Sequence, residues 1–216
     1  MTLQEVFDQR VASFRPLLVE GFVSAVANDT LTERQLGIYL VQDIHYLEAL
    51  AKNLYGLQAE FIDAHILEIL GRHSSEALKT CSEMRRLIEE FPGLSTTASD
   101  PIRPTTYAYI NHQRLCLEQG PRAGLWSLLP CYLFYPTFVR EVIACKSERP
   151  FIRRWVESLP KYDGAILWKD EIEEIFLMVN VGPHDKGLER LFSISEHYEV
   201  MFLRMAYREE SWLVRE

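Results

Sequence analysis

A thiol and two carboxylates stand in this sequence where a helical chain would otherwise carry apolar side chains. In the stretch 33–60, Leu36, Tyr39/Leu40, Asp43, Tyr46/Leu47 and Leu50 recur at helical spacing, so Asp43 takes a position that belongs to a core. In 186–210, Leu188, Phe192, Ser195, Glu199, Phe202 and Ala206 form a second stripe, interrupted by Glu199. A carboxylate on an inward face loses its hydration and needs a partner there. Either one alone reads as half of a structural salt bridge. Two on separate helices point to a polar centre inside an apolar interior, where acids with displaced pKa values carry protons.

The thiol belongs to the run Leu128-Leu129-Pro130-Cys131-Tyr132-Leu133-Phe134-Tyr135. Pro130 has no N–H to give to the carbonyl four residues back, so a kink or a new turn is expected just before Cys131. Cys131 and Tyr135 then share one face, a turn apart. A thiol beside a helix break, among aromatics and near a carboxylate, can act as a nucleophile. Cys81, Cys116 and Cys145 read as small core hydrophobes. Ile102, Thr106, Tyr109, Gln113 and Cys116 line one side of another helix, where Tyr109 either brings a phenol to the same centre or sits in the core with its hydroxyl on backbone.

Period-3.6 apolar patterning runs through the chain and alternating strand patterns are scarce, so the expected class is all-α. Helices are expected at 3–14, 17–27, 33–60, 64–91, 101–118, 122–145, 149–158, 164–180 and 186–210. Thr32-Glu33-Arg34-Gln35 is a capping box, Asp100-Pro101 an N-cap followed by a residue needing no donor, and Gly120-Pro121 a helix end followed by a start. Pro92 to Ser99 is the one polar loop of linker length, but neither half has a core of its own, and one helical bundle is expected over 1–216.

Composition bounds the function. The chain has 216 residues, 48% of them hydrophobic, and a formal charge of −8. That is enough to enclose a core and a small-molecule pocket. The acidic balance, with no basic patch around Arg85-Arg86 or Arg153-Arg154, argues against nucleic acid as a partner. The uncharged run 123–139 contains two prolines and is too short for a bilayer, so no membrane partner is expected. The amino terminus lacks the basic and apolar pattern of an export signal and the cysteines form no CxxC pair, so a cytoplasmic protein with free thiols is expected. No histidine has glutamate three positions before it, and zinc, Walker and dinucleotide motifs are missing, so neither a metal nor a cofactor is expected.

Together, Gln42-Asp43-x-x-Tyr46-Leu47, Tyr107-x-Tyr109, Leu128-Leu129-Pro130-Cys131-Tyr132-x-x-Tyr135 and Tyr198-Glu199-x-x-Phe202-x-x-Met205-Ala206-Tyr207 resemble the ordered motifs of the TenA/thiaminase II family. The resemblance spans nearly the whole chain, including the lead-in Phe22-Val23…Thr30-Leu31. It implies a haem oxygenase-like helical bundle, which need not bind haem, and commonly a homotetramer that hydrolyses aminopyrimidines in thiamine salvage, many members also cleaving thiamine. By resemblance Cys131 is the nucleophile and Glu199 the acid/base. Asp43 holds the amino edge of a pyrimidine, Tyr46, Tyr109 and Tyr135 enclose the ring, and Phe202 adds to its binding surface. The sequence departs from the family at Leu159, where a tyrosine is usual unless Tyr162 replaces it, at Leu203, where an aromatic is common, and in a Glu-x-x-x-His string not recognisable around 76–83. Two other readings remain: a non-catalytic relative binding a small aromatic ligand or a protein, and an oxidative relative that is metal-dependent or quinone-forming.

Overall fold

Helix α3 (Glu33–Gln58) starts where Thr32 and Gln35 satisfy each other's backbone N–H groups: Gln35 N–H donates to Thr32 Oγ1 at 3.1 Å and Thr32 N–H to Gln35 Oε1 at 3.0 Å. The computed structural model describes residues 3–94, 101–160, 171, 174–176 and 186–213. A short connection turns α3 into α4 (Ala64–Glu90), capped by Asp63, whose carboxylate accepts from His65 N at 2.9 Å and Ile66 N at 3.1 Å. Before them lie α1 (Leu3–Leu18), a π-type turn at Val19–Val23 and α2 (Ser24–Ala27). After them come α5 (Pro104–Glu118), α6 (Pro121–Ala144), α7 (Pro150–Ser158) and α8 (Lys186–Tyr207). The chain is all-α, and no strand occurs among the described residues. Most of the helix expected at 164–180 lies outside those residues, as do Asp100 and Tyr162; positions 171 and 174–176 are helical.

Three local expectations are corrected. The first break falls not at Pro16, which lies inside α1, but at Glu20-Gly21, where Gly21 takes φ +80°, a conformation open to glycine and costly for other residues. Helix α5 starts at Pro104 rather than Pro101. Arg103, before the proline, is extended at ψ 156°, and its N–H donates to buried Gln42 Oε1 at 2.8 Å. Helix α6 runs through Pro130 and Pro136 as one element, so no new turn starts before Cys131. Its flanks are apolar and buried, and tertiary packing holds the helix across the missing donors.

Helix α6 packs against α1, α3, α5 and α8 and carries the buried row Leu125, Leu128, Leu129, Tyr132, Phe134, Phe138 and Val142. Beside it Phe22, Tyr39, Phe138 and Trp155 form an aromatic nest, with Tyr39 and Trp155 centroids 5.6 Å apart. Tyr39 and Phe138 of this nest line the cavity that holds Asp43. Among the described residues no helix is long and apolar enough to cross a membrane.

One close approach fixes the position of α3. A Cβ at Gly37 would lie 2.2 Å from the backbone carbonyl oxygen of Leu94. Gly37→Ala must push the chain at Pro92–Leu94 away, and a loss of ~2–4 kcal/mol is expected in urea unfolding. An unchanged midpoint would show that this segment yields freely.

Candidate active site

Four helices bring the chemistry together. Asp43 and Tyr46 come from α3, Tyr109 from α5, Cys131 and Tyr135 from α6, and Glu199 and Phe202 from α8; all seven line one cavity of about 460 Å³ including its open mouth. Tyr39, Leu18, Phe134, Phe138 and Leu203 complete its walls. The stripe positions follow from sequence spacing. Their convergence follows from α3, α5, α6 and α8 each packing against the other three.

Aromatic rings lining the cavity continue into a stack that reaches Tyr198 beside it. Tyr46 and Tyr109 stack at 5.0 Å and 22°, Tyr109 and Tyr198 at 5.1 Å and 17°, and Phe202 meets Tyr46 edge-on at 6.1 Å. Tyr109 OH donates to Glu199 Oε1 at 2.5 Å, and Gln113 Nε2 donates to Tyr46 OH at 3.0 Å. Tyr46 stands beside Cys131, and Tyr39 beside Asp43, near enough for each phenol to bear on its neighbour's ionisation. The phenols therefore flank the thiol and both acids.

Burial sets the protonation states. Asp43 is pushed up to about 7 by loss of solvent, opposed by the hydrogen bond from Tyr39. Glu199 is also pushed up to about 7 by burial, with the Tyr109 hydrogen bond opposing and the negative charge of Asp43 adding. Burial pushes the Cys131 thiol well above its ordinary range, and the Glu199 charge pushes it further, against a smaller opposing effect of the Tyr46 hydrogen bond. Among the described residues neither Asp43 nor Glu199 has a lysine or arginine partner, so the salt-bridge reading fails for both. The resting site thus holds a neutral thiol beside two acids poised near neutrality.

The expected Tyr109 placement also resolves: its hydroxyl goes to Glu199, not to backbone. Several participants were not singled out in sequence. Tyr39 reads as core from its place on the apolar stripe, although its spacing of four from Asp43 is the signal for a same-face contact. Gln113 was placed on the right face but given no partner. Glu196 is a third inward carboxylate, 1% exposed, and it makes the structural ion pair that its neighbours do not, at 2.7 Å to Arg10. All four cysteines are free, and Cys131 alone lines this cavity. No group of three His, Cys, Asp or Glu side chains that could hold a metal occurs among the described residues.

The two leucine departures separate spatially. Leu203 lines the cavity with Glu199, whereas Leu159 lines an outer cavity with Glu76, Lys79 and Glu83. Leu203 thus belongs to the cavity that holds Cys131 and Glu199, and Leu159 does not.

Among the described residues the fold is a strand-free bundle of the haem oxygenase-like helical class, with a thiol, two acids and tyrosines around one cavity between its helices. The model of the TENA/THI-4/PQQC family matches residues 21–209, and the chain belongs to that family. It is 28% identical over 206 residues to the aminopyrimidine aminohydrolase of Bacillus subtilis (strain 168), covering 90% of this chain and 84% of that one. Its fold is similar to the TenA homologue of P. horikoshii OT3, with a TM-score of 0.75 at 16% identity over 96% of this chain and 99% of that one. The TenA homologue of Pyrococcus furiosus matches at 0.70 and 17% identity, covering 93% and 98%. Family membership supports hydrolase chemistry as the coarse class.

Proposed function

We propose that this protein is an aminopyrimidine aminohydrolase that releases the substituent on the exocyclic methylene of a 4-aminopyrimidine by covalent catalysis through Cys131. The observation that carries the reading is the enclosure of Cys131, Asp43 and Glu199 in one aromatic cavity. The pyrimidine lies against Tyr46, Tyr109 and Phe202, with Asp43 on its amino edge and Tyr135 closing the far wall. Neutral Glu199 gives its proton to a ring nitrogen as sulfur bonds to the adjacent ring carbon, and takes the thiol's proton in return. No free thiolate is needed, which suits a thiol held above its ordinary range. The electron pair loaded onto the ring expels the substituent with a proton; water adds to the methylene, and the thiol leaves as the ring recovers its double bonds. Covalent catalysis divides one hard substitution into easier steps.

The reading extends to a cytoplasmic homotetramer working in thiamine salvage, with no cofactor. Light scattering at micromolar concentration checks the assembly, and a monomer would count against it. The decisive assay follows hydroxymethylpyrimidine formation from aminomethylpyrimidine, its formylamino derivative and thiamine. No turnover of any of the three would remove the hydrolase assignment.

A pH profile tests the roles of the acids. Glu199 must be protonated and Asp43 ionised, and both titrate near 7. kcat/KM should therefore fall on both sides of neutrality, the alkaline limb from deprotonation of Glu199 and the acid limb from protonation of Asp43, with macroscopic values belonging to the pair. Loss of the alkaline limb in Glu199→Gln is the expected signature. A wild-type profile flat from pH 5 to 9 would remove both assignments.

A further inference from the structure

Gln113 is a buried amide that the proposed chemistry does not use. It lies on α5 one turn beyond Tyr109, fully enclosed, and its Nε2 donates to the Tyr46 hydroxyl oxygen on α3 at 3.0 Å. Its carbonyl oxygen is buried too and has no hydrogen-bond partner among the described residues. An enclosed amide with an unmet acceptor is costly, and an apolar side chain of similar volume would fill the same space at less cost. Packing therefore does not account for a glutamine here, whereas its hold on Tyr46 does.

Tyr46 lines the catalytic cavity with Cys131. A phenol has one proton to give and lone pairs to receive with. Because Gln113 donates to the oxygen, the O–H proton is turned away from the amide, toward Cys131 and the Tyr109 oxygen that stand beside it. Of these two, sulfur is the stronger acceptor whenever it carries negative charge. Burial raises the Tyr46 pKa well above the ordinary phenol range, so its proton is shared and not lost. A donated N–H also polarises the O–H and strengthens the bond it gives. The other titratable groups facing Cys131 are Tyr39 and Asp43 on α3, Tyr109 on α5, Tyr132 and Tyr135 on α6, and Glu199 on α8. All are acids, and none of them can bring positive charge to sulfur. The Gln113 N–H keeps its proton at every pH.

We propose that Gln113 is a positioning residue for the thiol: its N–H holds the Tyr46 hydroxyl with the proton turned to Cys131 Sγ, where it stabilises negative charge on sulfur as the carbon–sulfur bond forms and breaks. Tyr46 keeps its proton throughout. The assignment rests on the nucleophile proposed above and adds the residue that acts on it through Tyr46.

Four proteins test it: wild type, Gln113→Met, Tyr46→Phe and the double variant. The readout is the rate at which iodoacetamide alkylates Cys131 at pH 9, with the site located by peptide mass spectrometry. Methionine fills irregular core space without an amide N–H. Gln113→Met should slow alkylation about three- to ten-fold, the range that one hydrogen bond commands, and should slow single-turnover hydrolysis by a similar factor. In the Tyr46→Phe background the same substitution should leave alkylation unchanged, because the link to sulfur is already broken. Equal slowing in both backgrounds would make Gln113 a packing residue and overturn the proposal. Faster alkylation in Gln113→Met overturns it as well, since the phenol would then be giving its proton to the amide, and so does an unchanged single-turnover rate. If Gln113→Met does not fold, Gln113→Glu keeps the shape, and its carboxylate draws the phenol's proton away from sulfur. Alkylation should then slow more with Tyr46 present than in the Tyr46→Phe background, and equal slowing overturns the proposal. Alkylation needs no turnover. A wild type that hydrolyses none of the three pyrimidines removes the hydrolase reading, and the alkylation cycle still decides the role of Gln113.

Discussion

Cys131→Ser should lower the rate of hydroxymethylpyrimidine formation by on the order of 10³ while leaving substrate binding within a few-fold. Serine keeps the shape of cysteine, and Cys131 is only partly enclosed by protein, with the remainder of its surface on the cavity. The fold should therefore tolerate the change. A hydroxyl at this position is a far poorer nucleophile than a thiol at neutral pH, and a loss of ~10³ corresponds to about 4 kcal/mol of transition-state stabilisation. The check is single-turnover kinetics of both proteins, with mass spectrometry of the quenched wild type to trap a pyrimidine adduct on Cys131. Full activity in Cys131→Ser would remove the covalent route and leave Glu199 to activate water directly.

Asp43→Asn should destroy activity and stabilise the protein at alkaline pH. The folded-state pKa of Asp43 lies at about 7, above its ordinary 3.8, because burial penalises the charge. Between about pH 4 and pH 7 the native protein binds a proton that the unfolded chain has lost, so stability falls as pH rises through this window. Above pH 7 the penalty is complete. Replacing the carboxylate by an amide of nearly the same shape removes it, and a gain of ~1–3 kcal/mol at pH 8 is expected, shrinking toward zero near pH 4. For a chain of this length each kcal/mol is roughly 2–4 °C in Tm. Glu199→Gln should show the same sign, its pKa being displaced from 4.5 to about 7. Activity should fall at least ~10² in either variant, because a positioned proton carrier contributes about that much or more. Urea titrations at pH 4.5 and pH 8 separate the outcomes. A loss of stability at pH 8 would mean that the carboxylate is paired rather than stranded.

Function and stability are opposed here. Two acids with no cationic partner among the described residues are costly to bury, and the tyrosines around them offset the cost only in part: Tyr109 reaches Glu199 and Tyr39 stands beside Asp43. The structural ion pair is placed one turn away, between Arg10 and Glu196, where it joins α1 to α8 without neutralising the site.

Helix class, the capping of α3 at Thr32, the break at Gly120-Pro121 and the inward register of Asp43, Tyr109 and Glu199 were legible in the sequence. Each depends on residues within one or two turns of the chain: a hydroxyl three positions from an amide, a glycine before a proline, a period of 3.6. Family motifs added the grouping of Cys131 with the two acids. Three other features depended on contacts across the chain, and only the tertiary structure decided them. Helix α6 passes intact through Pro130, because apolar burial on its flanks outweighs a missing hydrogen bond, and α5 starts at Pro104 rather than Pro101, in part because Gln42 on a different helix binds the N–H of Arg103. Which inward acid is paired was likewise invisible: Glu196 and Glu199 are three residues apart on one helix, yet Arg10 reaches the first and, among the described residues, no cation reaches the second. Spacing along a chain determines which face a side chain is on, but its pKa is set by what another helix places a few ångströms away, and that distance exists only after packing.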